Sequence, residues 1–135
     1  MDPSEDLMTL QEIAREQATI GLEETNSFDP FGLAMLMDGE VALVVDNDGL
    51  DGNESIRGFL TGLSEKRDEL RAVAIVADVS VLDGGDAIRM TLEHRGDLAM
   101  EIVIPYSIPS DRGIEYGDVQ MGRGPRFIWP EPEAG

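Results

Sequence analysis

The sequence predicts a single α+β domain, in which a largely antiparallel sheet carries two packed helices. The length of 135 residues is typical of one domain. Two segments show helical apolar periodicity, and the segments between and after them alternate like strands joined by short turns. We therefore expect a hairpin plus a three-stranded meander in the order α-β-β-α-β-β-β, with a further C-terminal strand and both helices on one face. Residues 1–130 would form the domain and 131–135 a loose acidic tail.

The first helix is predicted from its capping residues. Asp2 is a suitable N-cap, Pro3 suits the first helical position, and Glu5 completes a capping box. Apolar residues then recur at helical spacing from Leu7 onwards. We expect this helix to end between Gly21 and Glu24.

The first hairpin is predicted from Asp38–Gly39, which separates two apolar runs. Asp-Gly in this setting favours a two-residue type I′ turn. Such a turn would place Met35 opposite Ala42. Because both faces of the hairpin are mostly apolar, we expect at least part of it to be covered on both sides.

The second helix follows a polar loop over residues 46–53, with Asp51 or Asn53 as its cap. Gly58 and Gly62 lie about one turn apart and lower the helix propensity. We interpret them as a place where another backbone comes close. The predicted apolar stripe consists of Ile56, Phe59, Leu60, Leu63 and Leu70.

The meander comprises segments 72–82, 87–94 and 98–104. A three-residue loop after His94 pairs that residue with Leu98 and keeps apolar residues on a shared face. A four-residue loop over 83–86 would pair Val79 with Met90.

The end of the chain is predicted as further β structure. Segment 114–121 is consistent with another strand, which the glycines and proline of 122–125 would end. The apolar residues 127–129 could then close the core as an edge strand.

The composition excludes several chemistries. The chain has no cysteine, which removes disulfides, thiolate catalysis and cysteine-bound metal centres. With one histidine it cannot build a two-histidine metal site, so we predict no metal and no cofactor. No apolar run is long enough to span a membrane, and the acidic start does not resemble a signal peptide. We therefore expect a cytoplasmic protein.

The formal net charge of -18 disfavours binding of nucleic acid through the bulk surface. Residues 1–70 hold 17 of the 28 acidic side chains but only 4 of the 10 basic ones. One interpretation is a halophilic-like composition, since Lys66 is the only lysine. The other is attraction to a basic partner.

A polar cluster is predicted on the meander, where Asp78 and Glu101 would flank Arg89 from the neighbouring strands. It could be a solvent-facing charge ladder or a pair of carboxylates for acid–base chemistry. His94 ends an apolar stripe, as strand-end packing residues do. The chain has neither a G-x-S-x-G motif nor a glycine-rich phosphate loop, so we assign no catalytic residue and expect no enzyme.

An interaction strip is predicted near the C-terminus, because aromatic residues and arginine commonly anchor interfaces. We therefore expect an interaction or regulatory protein that binds another protein or itself. One alternative is a small-ligand-binding domain, with a pocket between sheet and helices and Arg89 or Arg126 as a polar contact. Another is an antitoxin-like or inhibitor protein for a basic partner. The strip consists of Tyr106, Tyr116, Arg123, Arg126, Phe127 and Trp129.

Overall fold

A computed structural model describes residues 2–45, 52–80, 85–108 and 113–130 of the chain. It confirms the α+β class and the predicted order of elements. The loop with candidate cap Asp51, turn residues 81–84 and the tail 131–135 lie outside the described residues. The elements are α1 (Pro3–Thr25), β1 (Phe31–Leu36), β2 (Val41–Val45), α2 (Gly52–Glu65), a 3₁₀ turn (Arg67–Glu69), β3 (Leu70–Ser80), β4 (Asp86–His94), β5 (Leu98–Ser107), β6 (Glu115–Tyr116) and β7 (Gln120–Arg123).

The strands of the described residues form one sheet in the order β2-β1-β3-β4-β5-β6, and β7 also pairs with β5. Every pairing is antiparallel. Strand β2 is therefore one edge of the sheet, and the short strands β6 and β7 form the other. The predicted single strand over 114–121 is instead two strands, separated by residues 117–119.

The two helices lie on opposite faces of the sheet, so the expectation that they share one face is wrong. Helix α1 packs on the face that carries Phe31, Leu33 and Met35 of β1. Helix α2 packs on the other face, against Ala34 and Val73. Both faces of the central strands are apolar, and each needs its own cover. Strand β1 is accordingly buried on both sides, as predicted for part of the hairpin.

Helix α1 begins as predicted. The Asp2 carboxylate accepts hydrogen bonds from the backbone N–H groups of Ser4 and Glu5, which have no partner inside the helix. The helix continues to Thr25, slightly beyond the predicted end, and Asn26 closes it in the left-handed conformation with φ 66°.

The first hairpin has a different register from the predicted one. Met35 pairs with Val41, not Ala42, because the loop contains three residues instead of two. A type I′ turn needs positive φ at both central residues, but only Gly39 has it, at 93°. Asp38 instead accepts a hydrogen bond from the Glu40 N–H at 2.9 Å. Relative to the predicted register, this shift of one residue places every β2 side chain on the opposite face of the sheet.

The β3–β4 register also differs. Met90 pairs with Val76, and the predicted partner Val79 lies opposite Ala87. The last pair is Ser80 with Asp86, which leaves a longer connection than the predicted one. Alternation could not select the register here, because both faces of β3 are apolar.

The β4–β5 register agrees with the prediction. His94 pairs with Leu98 across the three-residue loop. Asp97 closes this loop in the left-handed conformation, with φ 68°.

Helix α2 is shorter than its predicted stripe. Leu70 belongs to β3 and is buried beside Phe59 and Leu63 of α2, so it lies in the expected core but not on the helix. A Cβ added to Gly58 or Gly62 would meet no atom within 4 Å. The predicted close approach of another backbone at these glycines is therefore wrong.

Candidate functional site

Strand β2 presents an uncharged edge of the sheet. The Leu36 N–H donates to the Glu40 carbonyl at 2.7 Å, so Leu36 and Glu40 form a hydrogen-bonded pair of the hairpin. Hydrogen-bonded and non-hydrogen-bonded pairs alternate along an antiparallel ladder. The N–H and C=O groups of Val41, Leu43 and Val45 therefore point away from β1. The side chain of Leu43 is 51% exposed. No other strand of the described residues lies beside this edge.

The two tyrosines of the predicted strip face the α1 core. Tyr106 and Tyr116 are paired across β5 and β6. The Tyr106 hydroxyl donates to Asp78 Oδ1 at 2.5 Å, and burial together with this carboxylate raises the pKa of Tyr106. The Tyr116 ring packs 4.5 Å from the Arg15 guanidinium, and its hydroxyl is hydrogen-bonded to Thr19. The two contacts of Tyr116 tie the sheet edge to α1.

Residues 124–130, here termed the C-terminal strap, cross the face that carries α2. The Glu93 carboxylate accepts hydrogen bonds from the backbone N–H groups of Phe127, Ile128 and Trp129. Ile128 is fully buried in the α2 core, whereas Phe127 is 52% exposed. The segment 127–129 is thus a strap held by a side chain and not the edge strand considered for it.

The arginines of the predicted strip differ in their surroundings. Arg126 donates from Nε to the Trp129 carbonyl at 2.9 Å and pairs with Asp97 at 3.0 Å. Arg123 lies exposed on β7. The structure therefore brings Arg126, Phe127 and Trp129 together in the strap but places Tyr106 and Tyr116 in the other core. The six residues do not form one continuous surface, and their role in binding stays a prediction.

The predicted polar cluster is only partly assembled. Arg89 pairs with Glu101 at 3.2 Å, and both side chains are substantially exposed. Asp78 lies opposite Ile88 and so faces α1, whereas Arg89 faces the other side. An exposed pair of this kind typically contributes about 0.2–1 kcal/mol. The flanking arrangement of two carboxylates around Arg89 is therefore wrong.

A second polar cluster, formed by Asp6, Arg71 and His94, joins α1 to the sheet. The Gly96 N–H donates to His94 Nδ1 at 2.8 Å, which leaves the proton on Nε2 to be donated to Asp6 Oδ2 at 2.7 Å. Arg71 donates two hydrogen bonds of 3.0 Å to the same carboxylate.

The environment of this cluster suits a structural role. Burial raises the pKa of Asp6, but the hydrogen bonds from His94 and Arg71 outweigh this effect and leave it below its ordinary value. His94 is fully buried and both ring nitrogens are engaged. The His94 ring is therefore fully used in holding α1 and the β4–β5 loop together. Sequence reasoning missed the cluster because Asp6 is one of two acids in the first helical turn.

A small apolar cavity lies between α1 and the β5–β7 edge, with a volume of about 150 Å³. Side chains from four elements line it, so the cavity forms only when these elements pack together. Three of its lining residues are methionines: Met8 of α1, Met100 of β5 and Met121 of β7. The others are Ser4, Leu7, Gln11, Leu92 and Ile102.

The described part of the chain contains no cluster of three or more histidine, aspartate or glutamate side chains able to hold a metal ion. Among the described helices, none is both long and apolar enough to cross a membrane. Comparisons with protein-family models, curated proteins and solved structures find no match for this chain.

Proposed function

We propose that this protein is a self-associating interaction module, in which β2 of one copy pairs antiparallel with β2 of a second. The observation that carries the proposal is the edge itself. Natural edge strands are commonly protected by lysine, proline, inward charges or bulges. Residues 41–45 contain none of these protective residues, and their pairing with β1 is regular.

The strand is complementary to itself about Leu43. A two-fold axis there would place Leu43 opposite its own copy and Val41 opposite Val45, all with outward hydrogen-bonding groups. Ala42 would lie opposite Val44. The exposed Leu43 side chains would then contact each other on the α1 face. A two-fold contact closes after two copies, so it gives a dimer and not a filament.

Strand β2 itself carries no charge that would select a basic partner over a copy of this chain. None of residues 41–45 is charged, so a basic strand would find no carboxylate opposite these five positions. The net charge of -18 opposes the approach of a second copy unless salt screens it. Salt should therefore strengthen self-association, whereas it would weaken binding to a basic partner.

Analytical ultracentrifugation at low and at molar salt tests this proposal. We expect a dimer whose population rises with protein and with salt concentration. Leu43→Lys should abolish it, since two ammonium groups would be opposed at the axis. Ile20→Lys on α1, at a similarly exposed apolar position of 43%, is the matched control and should leave it unchanged. A monomer under all conditions, or a dimer that survives Leu43→Lys, would reject the proposal.

A single introduced cysteine tests the register. Opposed residues of a hydrogen-bonded antiparallel pair have Cα atoms about 5.5 Å apart, within the range of a disulfide. Because the chain has no cysteine, oxidised Leu43→Cys should give one covalent dimer species. Ile20→Cys should not cross-link at a comparable rate. Equal cross-linking of the two variants would indicate random collision.

A further inference from the structure

The methionine-lined cavity contains three possible metal ligands, and it lies away from the β2 edge of the proposed dimer. Three thioether side chains from α1, β5 and β7 line one space of about 150 Å³. Met8 and Met121 are 59% and 58% exposed, while Met100 is half-buried. Each side chain has three rotatable bonds, so the two exposed sulfur atoms can turn towards the anchored one.

The chemistry of the lining residues selects the class of ligand. Thioether sulfur is a soft donor that favours Cu(I), whereas Mg²⁺, Ca²⁺ and Mn²⁺ prefer oxygen. Among the described residues that line the cavity, Ser4 and Gln11 are the only polar side chains and none is a carboxylate. Cysteine, the usual competitor for soft metals, is absent from the chain.

We propose that Met8, Met100 and Met121 together bind one Cu(I) ion. The strongly negative net charge raises the local concentration of cations around the protein. His94 does not compete for the ion, since both of its ring nitrogens have protein partners. Binding would join α1 to the β5–β7 edge through a metal in addition to apolar contact.

Nuclear magnetic resonance with methyl-labelled methionine tests the site directly, with Ag(I) as a redox-stable soft probe. The chain has seven methionines, each of which gives one methyl signal. We expect the signals of Met8, Met100 and Met121 to shift together and saturate at one equivalent. Met37, which is 44% exposed and lies outside the cavity, is the internal control. No shift, or an equal shift of Met37, would overturn the proposal.

Substitutions then separate coordination from packing. Met100→Leu and Met121→Leu keep an apolar side chain but remove a thioether, so each should weaken Ag(I) binding by at least about tenfold. Met37→Leu should not change the affinity. Thermal unfolding without metal shows whether each variant is folded. Competition with a Cu(I) chelator under anaerobic conditions should give the same order of affinities, and unchanged affinity in folded Met100→Leu and Met121→Leu would reject the site.

Discussion

The carboxylate of Glu93 accepts hydrogen bonds from the backbone N–H of Ile128 at 3.0 and 2.9 Å. The same group accepts from the Phe127 N–H at 2.7 Å and from the Trp129 N–H. Glu93 is only 2% exposed, so hydrogen bonds from three consecutive backbone amides replace those that water would make to this carboxylate. A single side chain of β4 therefore holds residues 127–129 of the C-terminal strap, including the buried Ile128.

Replacing Glu93 tests this anchor. In Glu93→Gln one carboxylate oxygen becomes an NH₂ group that cannot accept from the strap amides. We expect the free energy of unfolding to fall by about 2–4 kcal/mol, as buried donors lose a charged acceptor. Denaturant unfolding measures this loss. The fluorescence of Trp129, the only tryptophan, should also report a more exposed strap.

The matched control is Glu101→Gln, which removes the same charge from an exposed ion pair on the same face. Its effect should stay within about 0.5–1 kcal/mol. Equal losses in the two variants would show that Glu93 contributes through its charge alone.

The Asp6–Arg71–His94 cluster predicts how stability depends on pH. Because the pKa of Asp6 is lowered below 3.8 in the folded state, its contribution is fully present above that pH. The contribution is lost as the pH falls through the lowered pKa. The free energy of unfolding of Asp6→Asn should therefore be about 2–4 kcal/mol lower than that of the unaltered protein at neutral pH. This difference should shrink in acid.

Denaturant unfolding over an acidic pH series measures this difference. Glu5→Gln is the control, since Glu5 is exposed in the same helical turn. It should cost less than about 0.5 kcal/mol at neutral pH. A difference between Asp6→Asn and the unaltered protein that stays constant into strong acid would contradict the assigned role of the cluster.

The glycines of the β7 region form a second matched pair. A Cβ at Gly124 would lie 2.6 Å from the backbone carbon of Met100, so the backbone would have to move. Gly124→Ala should lower the free energy of unfolding by about 1–3 kcal/mol. A Cβ at Gly122 would meet no atom within 4 Å, so Gly122→Ala should change stability by less than about 0.5 kcal/mol. Thermal unfolding compares them, and equal losses would contradict this packing of the strap.

Local signals in the sequence predicted local structure well. The cap at Asp2 and the three-residue loop after His94 were both confirmed, because each depends on residues close together in the chain. The β1–β2 register was wrong, since Asp38 adopts a conformation that its residue type does not determine. The β3–β4 register and the positions of the two helices are set by tertiary packing, in which each apolar face of the sheet is covered by one helix. Alternation cannot decide this when both faces are apolar.

The candidate sites were less predictable than the fold. The strip was predicted from residue types, but Tyr106 lies in the α1 core whereas Trp129 packs against the α2 core. The partner of Glu93 is a set of backbone amides, which no residue type marks. Likewise, Met8, Met100 and Met121 are far apart in the sequence and meet only through tertiary packing. The uncharged sequence of β2 was visible, but its edge position follows only from the sheet order.

Glu93 and His94 are neighbours on β4, yet one anchors the C-terminal strap and the other holds α1 on the opposite face. Asp6 and His94 are 88 residues apart. At typical rates of protein synthesis, roughly 5–20 residues per second, the ribosome would add His94 about 4–18 s after Asp6. During synthesis Arg71 of β3 becomes available to Asp6 first, so α1 must wait for β4 before its buried carboxylate has both partners, and the C-terminal strap completes the opposite face only afterwards.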